Sequence, residues 1–301
     1  MASNFRAAFD PVWLSLREPV DHRSRPAALL PLLESACRIH QWSKVMDLGS
    51  GTGSNLRYLG SKLPGSQDWT LVDHDADLLN HPSSVEAAER VRSVHWVQGD
   101  LVDQGLTVVA QAHLVTGSAL LDLVSREWLE RLVKACRSAG CAAHFALTYD
   151  GEIRWFAGVG DGSNGDPDVD PDDELVRQAV NAHQRGDKGF GPALGPTAGL
   201  VAKALFQTAG YRTWLLPSPW RLHTEDSRLA QVLVNDWEKA ALDMNDVDHA
   251  HRIQAWADRR RGTIDRGVFS LNVGHQDLLA LLADPSPGTL PRKERKCIPS
   301  P

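Results

Sequence analysis

Cysteine is scarce in this sequence, and its spacing argues against two kinds of site. Only four of the 301 residues are cysteines, Cys37, Cys136, Cys141 and Cys297, and none forms a C-x-x-C pattern. A disulfide-stabilised domain carries more cysteines, and a structural zinc site needs closely spaced pairs. We therefore expect buried or unreactive thiols and predict no metal site.

Long hydrophobic runs and an excess of positive charge are also absent. No stretch approaches the roughly 18 consecutive apolar residues of a membrane helix, and residues 1–6 show no basic segment leading into an apolar run. The formal net charge of −6 gives little overall attraction for nucleic acid. These absences predict a cytoplasmic protein with no membrane partner, and they disfavour nucleic acid as a partner.

Tryptophan, by contrast, is abundant. The chain has 10 Trp against 3 Tyr, and 42% of its residues are hydrophobic. Its length allows one large domain or two small ones with a sizeable core. The tryptophans favour broad apolar packing surfaces or a lined pocket over a tyrosine-rich protein interface.

Strand-like and helix-like segments alternate through the middle of the chain. Apolar runs predict strands at 44–48, 69–73, 94–97, 112–116 and 142–148, then at 211–216 and 267–273. Helical spacing is predicted over about 54–63, 126–137 and 225–260. The alternation is typical of an α/β fold with a doubly wound, mostly parallel sheet, whose ligands bind beyond the carboxyl ends of the strands.

The two ends of the chain depart from this alternation. In residues 1–40 the apolar residues have helical spacing, which Pro19 and Pro26 interrupt. This pattern predicts a cap of two short helices. Residues 41–283 form the main domain, and residues 284–301 predict a flexible tail.

Glycine, aspartate and proline cluster between the two halves of the main domain, so residues 150–197 predict an insertion or lid. The acidic run 166–174 departs from a calcium-binding loop, because Pro171 stands where that loop needs glycine and Arg177 where it needs glutamate. We interpret the run as a solvated loop, with Asp172 or Asp173 capping the following helix at 174–184.

A glycine loop follows the first predicted strand and opens a helix. Gly49, Gly51 and Gly53 form a G-x-G-x-G pattern, with Asp47 two residues before the first glycine. The spacing departs from the G-x-G-x-x-G pattern of dinucleotide-binding folds. A carboxylate beside the loop repels a pyrophosphate and attracts an ammonium group, so we expect a ligand that is cationic at this point.

Two more carboxylates follow the next strands. Asp73 ends the second strand, 24 residues after Gly49, where it can accept hydrogen bonds from both ribose hydroxyls. Asp100 follows the third strand and can accept from an exocyclic amine, while the backbone N–H of Leu101 can donate to a purine nitrogen. An amino-acid end, a ribose and an adenine together specify S-adenosylmethionine.

With these motifs, residues 40 to about 150 resemble the class I S-adenosylmethionine-dependent methyltransferases. The resemblance implies a Rossmann-like, seven-stranded sheet with a reversed last strand. It places Asp47 near the methionine amino group, the loop under the cofactor, and the end of the fourth strand beside the sulfonium. The residues that it assigns to the cofactor are Asp47, Gly49, Ser50, Gly51, Gly53, Asp73, Asp100, Leu101, Thr116 and Gly117.

Further residues are needed to take a proton and to bind the acceptor. The candidates for proton transfer are Asp122, Tyr149, Asp150 and His183. Arg185 and Lys188 stand beside glycines of the predicted lid, where they can bind a carboxylate or phosphate on the acceptor. The cap offers Arg17, His22 and Arg25 as candidates to meet the carboxylate of the cofactor.

The sequence thus predicts a methyltransferase acting on oxygen or nitrogen of a small, polar or anionic acceptor. The alternatives are a methyltransferase for a protein or structured RNA, or a cofactor-binding subunit without catalysis. Residues 116–120 lack the Asp/Asn-Pro-Pro-aromatic pattern of enzymes that methylate base amines. The arginine run 259–261 is interpreted as a solvated helix end.

Overall fold

The sheet is the centre of the computed structural model, which describes residues 10–81, 89–102, 105–157, 167–245 and 247–283. The strands are β1 (Lys44–Leu48), β2 (Gln67–Asp73), β3 (Val91–Gln98), β4 (Leu114–Ser118), β5 (Ala142–Ala157), β6 (Tyr211–Pro217), β7 (Trp220–Leu222) and β8 (Phe269–Leu282). The helices are α1 (Pro11–Ser24), α2 (Leu29–His40), α3 (Ser54–Gly60), α4 (Ala76–Leu79), α5 (Gly105–Val108), α6 (Arg126–Ala139), α7 (Asp173–Gln184), α8 (Ala198–Thr208), α9 (Ser227–Met244) and α10 (Val247–Asp265).

The strand order is β3-β2-β1-β4-β5-β8-β6, and β7 pairs with β8 beside this path. Neighbouring strands from β3 to β5 are parallel, whereas β8 is antiparallel to β5, β6 and β7. The predicted mostly parallel sheet with a reversed last strand is therefore confirmed. The short strand β7 adds an eighth strand that the sequence did not indicate.

Both faces of the sheet are covered by helices. Successive strand residues pack into different cores: Val45 lies in the core that includes α2 and α3, and Met46 in the core that includes α6 and α8. A third core joins α7, α9 and α10 to the ends of β5 and β8. Burial on both sides explains why these strands are continuous apolar runs instead of alternating patterns.

The N-terminal segment forms two helices, but Pro19 does not interrupt the first, contrary to the prediction. Pro19 lies inside α1 with its side chain exposed. The next turn is held by Asp21, which accepts hydrogen bonds from Arg17 Nε at 2.9 Å and Trp220 Nε1 at 3.0 Å. The pair with Arg17 lies within the helix and the bond from Trp220 ties it to β7, so α1 continues past the one backbone hydrogen bond that proline cannot donate.

The predicted insertion begins later than residue 150. Residues 151–157 continue β5 and pair with β8, from Ile153 opposite Val273 to Ala157 opposite Phe269. Residues 158–166 and the predicted tail 284–301 lie outside the described residues. A lid function for the remaining segment stays a prediction.

The acidic run and the arginine run bind each other, so the predictions of a solvated loop and a solvated helix end are wrong. Arg260 is buried, and its Nη1 lies 2.9 Å from Asp168 Oδ2. Arg259 Nη2 donates to Asp170 Oδ1 at 2.7 Å and to Asp172 Oδ2 at 2.8 Å. The error arises because residues nearly ninety positions apart neutralise each other only after folding. The carboxyl of Asp172 does not cap α7 either.

Cys37, Cys136 and Cys141 are buried free thiols, as expected, and Cys297 lies outside the described residues. In the described ranges no three histidine, cysteine or acidic side chains come close enough together to hold a metal ion. None of the described helices is both long and apolar enough to cross a membrane.

Candidate functional site

The glycine loop turns sharply at the carboxyl end of β1. Gly49, Gly51 and Gly53 have φ angles of +64°, +52° and +82°, a region that residues with a Cβ rarely adopt. A Cβ on Gly51 would lie 3.3 Å from Leu14 Cδ1 of α1. The backbone of the loop therefore approaches α1 as closely as glycine allows.

A cavity lies above this loop, between the ends of the strands, α1 and the segment after α7. We call it the loop cavity. Gly49, Gly51, Asp73, Asp100 and Leu101, five of the residues predicted to bind the cofactor, line it. Its other lining residues are Leu14, Arg17, His74, Leu78, Ser118, Ala119, Leu120, Leu123, Lys188, Gly189 and Phe190.

Asp73 holds the loop and faces the cavity at the same time. Its Oδ2 accepts a hydrogen bond from the Gly51 N–H at 2.8 Å, and its Oδ1 accepts one from the Asp75 N–H at 3.0 Å. Asp100 Oδ1 similarly accepts from the Val102 N–H at 2.8 Å. Both carboxylates are thus fixed in position by backbone groups before any ligand arrives.

Asp47 and Thr116 lie beneath the loop and do not line the cavity. Asn55 of α3 joins them, because its Nδ2 donates to Asp47 Oδ1 at 2.9 Å and to Thr116 Oγ1 at 2.8 Å. Asp47 Oδ2 is buried without a hydrogen-bond partner among the described residues. Burial raises the pKa of Asp47 to about 7. Sequence reasoning missed Asn55, whose only signal is its place in the first turn of the helix after the loop.

Three more residues predicted to bind the cofactor also lie outside the cavity wall. Ser50 is buried within the loop, and Gly53 precedes α3. Gly117 brings β4 close to β1, since a Cβ there would lie 3.0 Å from the carbonyl oxygen of Leu48. The cavity is lined instead by the next residues, Ser118 and Ala119.

A second cavity adjoins the loop cavity and shares Arg17, Ala119 and Leu123 with it. We call it the tryptophan chamber, because Trp13 of α1, Trp220 of β7 and Trp237 of α9 line it. Its other lining residues are Asp122, Leu147, Tyr149, Val180, Gln184, Leu233, Val273 and His275. The predicted proton acceptors Asp122 and Tyr149 are thus brought together in one chamber.

Three titratable side chains in the chamber are buried. Burial raises the pKa of Asp122 to about 6, and its Oδ1 has no hydrogen-bond partner among the described residues. Tyr149 donates from its hydroxyl to Asn181 Oδ1 at 2.9 Å, and burial raises its pKa. His275 donates from Nδ1 to the Val273 carbonyl at 3.0 Å, and burial lowers its pKa to about 3. His275 is therefore neutral, with Nε2 as its acceptor atom.

Of the cations predicted to meet the cofactor, only Arg17 lines the two cavities. Its guanidinium pairs with Asp21 and lies 5.0 Å from the ring centroid of Trp220. Arg25 is buried in an ion pair with Asp277, and His22 Nε2 lies 3.1 Å from Ser54 Oγ.

The candidate residues at the end of α7 and just after it do not all lie at the cavities. Lys188 lines the loop cavity, whereas His183 and Arg185 line neither cavity. Arg185 Nη1 donates to the Asn181 carbonyl at 3.0 Å. Asp150 also lies outside both cavities, and its Oδ1 accepts from the Glu152 N–H at 3.2 Å.

Comparison with known proteins gives structural likeness without sequence likeness. No family model matches the chain. No curated protein matches it either. A cyclopropane-fatty-acyl-phospholipid synthase-like protein from Lactobacillus casei superposes with a TM-score of 0.49 at 13% identity, over 89% of this chain and 92% of that one. A SAM-dependent methyltransferase from Geobacter sulfurreducens, solved with S-adenosyl-L-homocysteine, gives a TM-score of 0.38 at 17% identity over 91% and 99%.

The chain's own architecture identifies the fold. A parallel sheet ordered β3-β2-β1-β4-β5 is extended by a reversed β8 inserted between β5 and β6. The glycine loop follows β1, and carboxylates stand at the ends of β2 and β3 around one cavity. This topology and this loop agree with the Rossmann-like sheet and reversed strand that the resemblance to the class I S-adenosylmethionine-dependent methyltransferases implied.

Proposed function

We propose that this chain transfers a methyl group from S-adenosylmethionine to a small molecule held in the tryptophan chamber. One observation carries the proposal: the loop cavity and the chamber share Arg17, Ala119 and Leu123 as a common wall. A cofactor in the first cavity and an acceptor in the second would meet at that wall. Methyl transfer requires such a meeting, because it is an in-line displacement between two bound molecules.

The residues of the loop cavity fit the parts of S-adenosylmethionine. Asp73 would accept hydrogen bonds from the ribose hydroxyls, and Asp100 with Leu101 would bracket the adenine. Arg17 would pair with the carboxylate of the cofactor, since its Nη1 has no hydrogen-bond partner among the described residues. When bound, S-adenosylmethionine supplies a methyl group on a positively charged sulfur.

The chain's own residues supply orientation and a dry environment. The aromatic and aliphatic walls of the chamber would displace water from a bound acceptor, which would strengthen the electrostatic interactions around it. Asp122 would accept the proton, and this role is supported by its unpartnered Oδ1 and by its carboxyl pKa of about 6. His275 Nε2 would accept a hydrogen bond in the same chamber, but its pKa of about 3 makes it too weak a base to take the proton.

Calorimetry with three nucleotides tests the proposal. S-adenosylmethionine and S-adenosylhomocysteine should each bind the purified protein with a dissociation constant on the order of micromolar, whereas NAD should not bind. The G-x-G-x-G spacing departs from the pattern of pyrophosphate-binding loops and so disfavours NAD. Binding of NAD alone, or of none of the three, would remove the methyltransferase function.

A further inference from the structure

The single acidic residue in the wall of the tryptophan chamber is Asp122, and it is the most informative group there. It follows β4 and is buried, and its Oδ1 has no hydrogen-bond partner among the described residues. A buried carboxylate oxygen without a donor is costly, by roughly 1–3 kcal/mol. A ligand that donates an N–H or O–H at this point would remove that cost.

Aromatic rings line the same chamber as this carboxylate. Trp13 and Trp220 have ring centroids 6.4 Å apart, and Trp220 lies 4.7 Å from His275. Tyr149 meets His275 edge to face at 6.0 Å. Trp and Tyr faces attract cations and apolar groups alike, most strongly where water is excluded.

The charges in the chamber wall favour a cationic ligand over an anionic one. Arg17 is the single basic residue of that wall, and Asp21 already neutralises it through two hydrogen bonds. Its guanidinium lies over Trp220. Asp122 has no cation of its own, because the one that acts on its carboxyl is this same arginine, and its other interactions are with the backbone N–H groups of Asp122 and Tyr149. The unbalanced charge of the chamber is therefore negative.

We propose that the acceptor is a small amine with an apolar or aromatic body. This inference rests on the proposed function and names its substrate class. The ammonium group would donate to Asp122 Oδ1, and the body would pack against the tryptophans. Transfer of one proton from the ammonium to the carboxylate leaves a neutral amine, whose lone pair forms the new nitrogen–carbon bond. The carbon–sulfur bond breaks with its electron pair left on sulfur, and the carboxyl later releases the proton to water.

Tryptophan fluorescence gives a readout of the chamber that does not depend on activity. We would titrate benzylamine, benzyl alcohol and phenylacetate into the wild-type protein, with and without S-adenosylhomocysteine. These probes share one ring and differ in charge at the reacting end. Benzylamine should bind at least tenfold more tightly than benzyl alcohol, and phenylacetate should bind most weakly.

Two variants locate the source of this preference. Asp122→Asn should abolish the preference for benzylamine, whereas Asp236→Asn should keep it. Asp236 is an exposed acidic residue next to Trp237 in sequence and does not line the chamber. Circular dichroism would verify the fold of both variants. If Asp122→Asn does not fold, the order of the three probe affinities for the wild-type protein still tests the amine proposal.

The outcomes separate this inference from the proposed function. Equal or tighter binding of benzyl alcohol or phenylacetate, or no saturable binding of benzylamine, would overturn the amine proposal. Persistence of the preference in a folded Asp122→Asn variant would overturn it as well. Binding of S-adenosylhomocysteine without a preference for benzylamine would remove only the inference. A preference for benzylamine without cofactor binding would remove the proposed function and the role of the amine as acceptor, and would leave an amine-binding chamber.

Discussion

Arg25 and Asp277 form a buried ion pair that joins the N-terminal helices to β8. The Arg25 Nε atom lies 2.8 Å from Asp277 Oδ2, and the two side chains are 3% and 1% exposed. Asp277 Oδ1 also accepts hydrogen bonds from the Leu147 N–H at 2.8 Å and Ser218 Oγ at 2.6 Å. One carboxylate therefore fixes β5 at the chamber wall, where Leu147 adopts a φ angle of +54°.

Removal of the Asp277 charge should destabilise the fold strongly. In Asp277→Asn the guanidinium of Arg25 stays buried without a counter-charge, so the free energy of unfolding should fall by about 3–5 kcal/mol. Urea denaturation measures the change. The control is Glu130→Gln, which breaks an ion pair with Arg126 whose side chains are both more than half exposed. That change should cost less than about 1 kcal/mol, and equal losses in both variants would contradict the role of the buried pair.

Asp73→Ala should weaken binding of S-adenosylhomocysteine. The variant loses the carboxylate proposed to accept from the ribose, which corresponds to about 1.5–3 kcal/mol of binding free energy. Calorimetry measures the affinity. Asp77→Ala is the matched control, because Asp77 stands four residues later, is exposed and does not line the loop cavity. Unchanged affinity in Asp73→Ala would exclude Asp73 from ribose binding.

Alanine substitutions of Lys188 and Arg185 should change the affinity for S-adenosylhomocysteine by different amounts, although the two residues are only three positions apart. Lys188 lines the loop cavity and Arg185 does not. Lys188→Ala should weaken S-adenosylhomocysteine binding by about 0.5–1.5 kcal/mol, whereas Arg185→Ala should leave the affinity within twofold, or about 0.4 kcal/mol. The comparison uses calorimetry on the two variants. A larger loss in Arg185→Ala than in Lys188→Ala would show that the segment after α7 closes differently on the ligand.

Asp47→Asn should change how stability depends on pH. The folded protein raises the pKa of Asp47 from 3.8 to about 7, so it binds this proton more tightly than the unfolded chain does. The contribution of Asp47 to the free energy of unfolding is therefore complete below about pH 4 and falls by up to about 4 kcal/mol as pH rises through 7. An asparagine carries no such proton.

Urea denaturation at several pH values between 4 and 8 measures this effect. The variant should gain stability relative to wild type as pH rises, and the contributions of other titrating groups cancel in the difference. Asp77→Asn serves as the control, because its side chain is exposed. A pH-independent difference between Asp47→Asn and wild type would show that burial does not shift the titration of Asp47.

The sequence was most informative where function depends on local pattern. The glycine loop, Asp73, Asp100 and the strands before them could be predicted, because apolar runs and glycine spacing are features of neighbouring residues. The excess of tryptophan favoured either broad apolar packing surfaces or a lined pocket. It could not indicate which tryptophans line it, since Trp13, Trp220 and Trp237 meet only through tertiary packing.

The sequence could not show which residues at the end of α7 face the chamber. Val180 and Gln184 are four residues apart, so they share one face of the helix and line the chamber. His183 follows Val180 by three residues, a spacing that also allows a shared face, yet it does not line the chamber. Its polar neighbours in sequence made His183 a candidate, but the direction of that face is set by the packing of α7 against α9 and β5.

Because Arg17, Ala119 and Leu123 line both cavities, ligands bound in the two would influence each other's affinity through these side chains. A ligand that shifts Arg17 in one cavity alters the surface offered to a ligand in the other. Linkage requires the effect to be reciprocal: if the first ligand tightens binding of the second by some factor, the second tightens binding of the first by the same factor. This wall thus gives the protein a physical means of cooperative binding within a single chain.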